Sequence, residues 1–234
     1  MVKDATLNLE ELLKGVKVDK IGIVNLEDWK DTPLWNKAQK LLPGAKSVMV
    51  LAMEVFLETV DQVTSKAMVG DLALRDLYLA NSDLIDGLLD WEGYKMVKRL
   101  HTHGFKGLLL PAKGSPYDGR FLEGPLSYKH VAEAARLGTI GWHSLLITPE
   151  YGPRVRLACI LTNAPLAGSA TLNIESPCFK CGGACIKICP AKAIAEPKAE
   201  EVYQLDKYAC SAYYTASGMC AECLKVCPAG RVSQ

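Results

Sequence analysis

The sequence predicts an α/β (α+β) protein, with a mixed sheet flanked by helices over residues 1–170 and a small cysteine-dense module over residues 171–234. Three observations lead there. Short apolar runs of strand length alternate with amphipathic helical stretches through the first 170 residues. Eight of the nine cysteines fall in the last quarter of the chain. Between the two regions, from Leu166 onward, Gly, Ser, Asn and Pro mark a change of organisation.

The elements follow in order. LNLEELLKGV reads as a short amphipathic helix and KIGIVN as a short buried strand. In LPGAKSVMVLAM, Pro43-Gly44 supplies a turn and Ser47 to Met53 a second buried strand. A long helix is expected from about Gly70 to His103, with Leu77, Leu84, Leu88 and Trp91 on one face at helical spacing. Gly104 is a natural helix stop, after which FKGLLLPA reads as a third strand. Gly and Pro punctuate residues 111–125, a helix follows from Leu126 to Leu137, and SLLITP and RVRLACILT are two further strands. β-Branched residues support strand for the last of these. Apart from the two cysteine motifs there is no internal repeat and no low-complexity segment.

An apolar fraction of 49% is enough for a sizeable core. The formal net charge of +1 gives no bulk field to attract nucleic acid or a membrane surface, so neither is expected as a partner. MVKDATLNLEELLKGVKVDK has no apolar signal region and no twin-arginine motif, and no run reaches the length of a membrane-spanning helix. The expected location is the cytoplasm. Thiols crowded into one module of a chain in a reducing compartment point to metal-bound thiolates rather than a disulfide scaffold. Cys159, alone in an apolar strand, reads as a core residue.

Two motifs stand in tandem: Cys178-x2-Cys181-x3-Cys185-x3-Cys189-Pro190 and Cys210-x9-Cys220-x2-Cys223-x3-Cys227-Pro228. Bacterial two-cluster ferredoxins use C-x2-C-x2-C-x3-C-P, and the fourth cysteine of each run serves the other cluster. By that crossing rule Cys178, Cys181, Cys185 and Cys227 hold one 4Fe-4S cluster, and Cys189, Cys210, Cys220 and Cys223 hold the other. Four-thiolate zinc sites also use C-x2-C pairs, but they rarely end in Cys-Pro and have no need of eight interleaved cysteines. The first motif carries one residue more than the ferredoxin spacing between its second and third cysteines. Gly182 and Gly183 lie in that lengthened loop, and glycine tolerates the detour an insertion demands.

Upstream of the module, HVAEAARLGTIGWHSLLITPEYGPRVRLACILTNAPL (residues 130–166) closely resembles the segment before the clusters in reductive dehalogenases, with their LG-x-x-G turn, LITPEYGP-x-VR and strand ending T-x-x-PL. It also resembles epoxyqueuosine reductase, which has the same order of elements. LLPGAKSVMVLAM matches that family's early strand, and CSAYYT from Cys210 its C-x-S-Y-x-T element. The resemblance implies a cobalamin-binding, nitroreductase-like layer followed by a two-cluster ferredoxin-like module. It further implies a base-off cobalamin to which the two clusters feed electrons for reduction of a small organic substrate. Where epoxyqueuosine reductase carries a catalytic aspartate, this chain reads FLEGPLSYKHV, without one. Glu123 is the nearest carboxylate, and Tyr128 and Lys129 are alternative donors. Dehalogenases use a tyrosine with a basic partner, a part open here to Tyr128 with Arg154 or Arg156. The resemblance places Gly138, Gly141, His143, Tyr151, Gly152 and Arg154 at the corrin.

The chain also reads as a short form of the family, without its export signal or its C-terminal helical repeats. The alternative function is an electron-transfer protein that reduces a corrinoid partner and performs no substrate chemistry of its own. The expected partner is therefore a small-molecule substrate or a redox protein, and the sequence leaves the oligomeric state open.

Overall fold

The computed structural model describes residues 9–63, 71–170 and 175–231. In chain order the elements are α1 (Leu9–Leu13), β1 (Lys20–Asn25), a 3-10 turn (Leu26–Trp29), α2 (Pro33–Leu41), β2 (Ser47–Glu54), α3 (Leu57–Asp61), α4 (Asp71–Thr102), β3 (Gly107–Leu110) and α5 (Tyr128–Ala134). They continue with β4 (Thr139–Ile140), β5 (Leu146–Ile147), β6 (Val155–Thr162), α6 (Cys178–Cys181), α7 (Ala184–Ile188), β7 (Ile194–Ala195), β8 (Gln204–Leu205), α8 (Lys207–Ala216) and α9 (Glu222–Val226).

These elements form two compact units. The cysteine-rich C-terminal stretch takes Glu54–Ile85 and Gly138–Val155 into its unit, and the rest of the described chain forms the other. The segment that carries the family resemblance is thus shared between the two.

The first unit is built on a four-stranded sheet in the order β1-β2-β6-β3. Strands β1 and β2 run antiparallel with Lys20 opposite Ala52, and β3 and β6 antiparallel with Gly107 opposite Thr162. The two inner strands are near-continuous apolar runs, as strands covered on both faces must be. Val48–Ala52 of β2 and Ala158–Leu161 of β6 are fully buried, and Cys159 is among them. Burial raises the Cys159 thiol far above its ordinary range, so it stays protonated and inert. Ser47 joins the inner strands to the chain beyond β6. Its hydroxyl donates to the Ala164 carbonyl and accepts from the Leu166 N–H, both at 2.9 Å.

The expected strands and the long helix are present, and the helix expected over 126–137 forms as α5. Helix α2 is not among the elements expected from the sequence. Its start is nonetheless written in Thr32-Pro33: the Thr32 hydroxyl accepts from the Trp35 N–H, and proline opens the first turn.

Helix α4 reverses the usual amphipathic arrangement. Its inward face carries Ser82, Asp86 and Glu92 among Ile85, Leu89, Met96 and Leu100, all buried. The expected apolar stripe, Leu77, Leu84, Leu88 and Trp91, faces solvent. Periodicity located the stripe, but the side turned to the core is set by polar pairing. Asp86 receives both arms of the Arg156 guanidinium, at 2.7 and 2.5 Å. Asp90 accepts the Ala112 and Lys113 N–H groups at 2.6 and 3.1 Å, which fixes the loop leaving β3.

The second unit has two short hairpins, β4–β5 and β7–β8. Its core packs Trp142, Ile147 and Ile194 with Cys178, Cys185 and Cys227. A smaller cluster joins Val63, Met219 and Ala221.

In β1, a Cβ at Gly22 would lie 2.8 Å from the Ala135 Cβ and 2.8 Å from the Leu137 Cγ. Gly22→Val should therefore destabilise the first unit by about 1–3 kcal/mol through overpacking. Urea unfolding followed by circular dichroism checks this, with Gly87→Ala, whose new Cβ meets open space, as the tolerated control.

Candidate metal centre and catalytic groups

The cysteines are presented by four short helices and the turns between them. Helix α6 carries Cys178 and Cys181 at its two ends. Gly182 and Gly183 then both adopt left-handed backbone, with φ of +62° and +68°, and α7 brings Cys185 back. The inserted residue is thus absorbed by two consecutive glycines in the one conformation that L side chains avoid. Cys189 caps α7, Cys210 lies on α8, and Cys220, Cys223 and Cys227 bracket α9.

Burial and neighbouring thiols raise five of the eight cysteines. Burial first, then Cys178, Cys181 and Cys227, push Cys185 up to about 11. Cys227 is raised by burial and by Cys178 and Cys181, against an opposing hydrogen bond from Ala229. Burial first, then Cys220, Cys210, Cys185 and Cys189, push Cys223 up to about 12. Burial raises Cys210, followed by Cys189 and Cys220, and Cys189 is likewise among the groups acting on Cys220.

Among the described residues no three His, Cys, Asp or Glu side chains converge on a point as ligands of a single ion would. Two backbone N–H groups also donate to sulfur: Trp142 to Cys178 at 3.4 Å and Ala193 to Cys189 at 3.3 Å. Such bonds stabilise thiolate charge and tune cluster potential. Sequence reasoning missed both, and for the Ala193 backbone no residue-type signal exists. Trp142 also packs edge-on to Phe179, with ring centroids 5.3 Å apart.

The residues expected at a corrin are largely occupied by the fold. A Cβ on Gly152, whose φ is +56°, would lie 1.9 Å from the Ala229 carbonyl oxygen. One on Gly138 would lie 2.2 Å from the Ile147 carbonyl oxygen, and one on Gly141 would press on Ile147 and His143. The close approach that each glycine permits is therefore to the protein itself. Arg154 is buried and donates to Glu54 Oε1 at 2.6 Å, the Val55 carbonyl at 3.1 Å and the Gly230 carbonyl at 2.9 Å. His143 is buried, and its Nδ1 accepts from the Leu145 N–H at 3.1 Å, which leaves the neutral ring's proton on Nε2. Tyr151 is half-buried, and its N–H donates to the Thr148 hydroxyl. These contacts are thus to the protein's own backbone and side chains.

The candidate proton donors separate by exposure. The Tyr128 hydroxyl donates to the Pro111 carbonyl at 3.0 Å, and burial pushes its pKa up to about 12. Arg156 is committed to Asp86. Lys129 is half-buried, and Glu123 is exposed. Glu123 lines an open cleft of about 890 Å³ in the first unit, with Lys37, Lys40, Tyr117, Asp118 and Phe121 around it. The structure thus brings Glu123 into a cleft and holds Tyr128 and Arg156 in structural contacts.

The chain combines an α/β sheet unit with a unit that holds eight cysteines in two spaced motifs. No family model matches the chain. An epoxyqueuosine reductase of Gloeobacter violaceus is 28% identical over 201 residues, covering 83% of this chain and 54% of that protein. A tetrachloroethene reductive dehalogenase of Dehalobacter restrictus is 25% identical over 252 residues, covering 96% of this chain and 39% of that one. Among solved structures, a catabolic reductive dehalogenase superposes with a TM-score of 0.68 at 16% identity, over 92% of this chain and 30% of that one. An epoxyqueuosine reductase solved with a tRNA-Tyr stem loop gives 0.61 at 21% identity, over 94% and 64%. The chain is thus similar to epoxyqueuosine reductases and reductive dehalogenases, and it spans about half or less of the curated relatives named here. The complex with a tRNA stem loop belongs to that neighbour. Among the described residues no helix is long and apolar enough to cross a membrane.

Two outcomes follow from these contacts. Gly152→Val should displace the loop after Cys227, so that iron analysis finds a loss of up to half the metal together with a lowered melting temperature. Tyr128 should ionise late: wild type minus Tyr128→Phe should show a phenolate signal near 295 nm rising around pH 12, not pH 10. The sign is that of an acid held neutral. Its contribution to stability is complete below about pH 10 and declines as pH rises toward 12.

Proposed function

We propose that the protein is an oxidoreductase in which two 4Fe-4S clusters, one on Cys178, Cys181, Cys185 and Cys227 and one on Cys189, Cys210, Cys220 and Cys223, pass electrons to a base-off cobalamin for reduction of a small organic substrate. The single observation that carries this reading is the pair of spaced cysteine motifs, each closing on Cys-Pro, which the second unit holds together on α6 to α9. Burial holds the Cys185, Cys210, Cys220, Cys223 and Cys227 thiols above their ordinary range, so they stay protonated without a cationic core to compensate them. An iron–sulfur core supplies that charge and a one-electron couple as well. Buried sulfur with backbone N–H donors is the environment in which such couples are tuned.

Cobalamin enters through the likeness to reductive dehalogenases and epoxyqueuosine reductase. When bound, it supplies low-potential cobalt chemistry on the substrate. The six residues first expected to cradle it are engaged elsewhere, so no step is assigned to them. Of the donor candidates, Glu123 is the one placed on an open cleft, with the Lys37 and Lys40 side chains beside it to attract an anionic substituent. The substrate is proposed to be a small molecule. A modified base in RNA is the second reading, favoured by the neighbour solved with a tRNA stem loop.

Anaerobic protein reconstituted with iron and sulfide should hold about eight irons and eight sulfides, as two four-iron clusters require. About four irons, or zinc in their place, would overturn the two-cluster assignment. Cys185→Ala should convert one cluster toward a three-iron form, seen by electron paramagnetic resonance, and leave the other intact. Addition of cob(II)alamin should shift the corrin bands and give a heat in calorimetry. With no shift and no heat at tens of micromolar, the cobalamin part fails while the clusters stand. A gel-shift with an RNA stem loop then separates the two substrate readings.

A further inference from the structure

We propose that the outward face of α4 is a self-association surface, on which a second copy of this chain docks its own α4 antiparallel. This inference is independent of the cofactor reading. The face is defined by spacing. Leu74, Leu77, Asn81, Leu84, Leu88 and Trp91 follow one another at intervals of 3, 4, 3, 4 and 3, a heptad seam in which 74, 81 and 88 are one set of core positions and 77, 84 and 91 the other.

The buried residues of the same helix lie on another side, so the seam takes no part in the core of this chain. Leu84 is 62% exposed and Trp91 59%, with Leu77 at 47% and Leu88 at 44%. Tyr94 stacks on Trp91 with ring centroids 5.8 Å apart, which extends the patch by another aromatic ring. Together these side chains expose on the order of 500 Å² of apolar surface, the size at which a patch on a monomer marks an interaction site.

Three features choose a second copy as the occupant. A period of 3.5 residues fits a second helix of like pattern, because two such seams stay in register as they wind around each other. The one polar residue of the seam, Asn81, occupies a core position of the kind where a polar side chain sets register and oligomeric state. Small residues run beside the seam at Ala80 and Gly87, and a Cβ built on Gly87 meets nothing within 4 Å, so a second backbone can approach there.

Charge then selects the antiparallel orientation. The N-terminal half of the outward face carries exposed Asp76, and the seam runs out at its C-terminal end into Lys95 and Lys98. Parallel copies would set these lysines against each other. Antiparallel copies, centred so that Leu84 of one meets Leu88 of the other, bring Lys98 toward Asp76. They also place the Asn81 amide opposite the Trp91 indole, whose N–H needs an acceptor once buried. Antiparallel helix dipoles favour the same arrangement. The patch is smaller than the roughly 800 Å² per partner of a standard interface, so the dimer is expected in the micromolar range.

Sedimentation velocity on anaerobically purified, iron-loaded protein, from about 1 to 200 µM, tests this around the expected dissociation constant. Wild type should pass from monomer to dimer across that range. Leu84→Glu should raise the dissociation constant at least a hundredfold while iron content and circular dichroism stay as in wild type. Asp76→Lys and Lys98→Glu should each weaken the dimer, and the two together should restore it. A wild type still monomeric at 200 µM overturns the proposal and assigns the face to a different partner. A Leu84→Glu variant that dimerises as wild type does overturns it as well, and a double charge exchange weaker than either single one overturns the antiparallel orientation.

Discussion

The second unit depends on one constraint: the segment carrying Cys227 must pack back into the core that holds Cys178 and Cys185. Much of that unit's polar wiring serves this return. Arg154 ties the Gly230 carbonyl to Glu54 and to the Val55 carbonyl. Arg231 reaches Asp61 and the carbonyls of Lys225 and Cys227, and the hydrogen bond from Arg231 is the first cause holding the Asp61 carboxyl below its ordinary range. Lys225 donates to the Val63 carbonyl. Gly152 lies against Ala229 so closely that no side chain could stand at either Gly152 or Gly230. Segments far apart in sequence are thus pinned around the last five residues after α9.

This wiring changes the meaning of the residues in the PEYGPRV turn. In sequence they look like a contact surface for a flat ligand, because a glycine, a tyrosine and an arginine are what such a surface uses. In the structure they form a clamp on the C-terminal loop. A glycine reports that something approaches its backbone closely, but its own sequence does not say what. Arginine is similarly ambiguous. Arg154 and Arg156 differ by two places, yet one is spent on carbonyls near the chain end and the other on the buried Asp86.

What could be read in advance follows the same division. The inner strands were legible because uninterrupted apolar runs admit few other placements, and the long helix because its period holds for more than 30 residues. The cysteine module was legible because its two spaced motifs stand close together in the chain. The direction of the α4 stripe was not, since a period fixes a face and not the side of the helix that meets the sheet. There the inward pairing of Asp86 with Arg156, and the capping of Ala112 and Lys113 by Asp90, outweigh the burial of four large apolar side chains. The division into units was hidden for a related reason: composition changes near residue 170, but packing groups Gly138–Val155 with the cysteines.

If the proposed quartets hold their clusters, maturation follows the order of synthesis. One core would need Cys227 and the other Cys223, so neither could be completed on a nascent chain still being elongated through α8. Until α9 has been made, the thiols of α6 and α7 would stand without their fourth partner, open to oxidation and to the wrong metal.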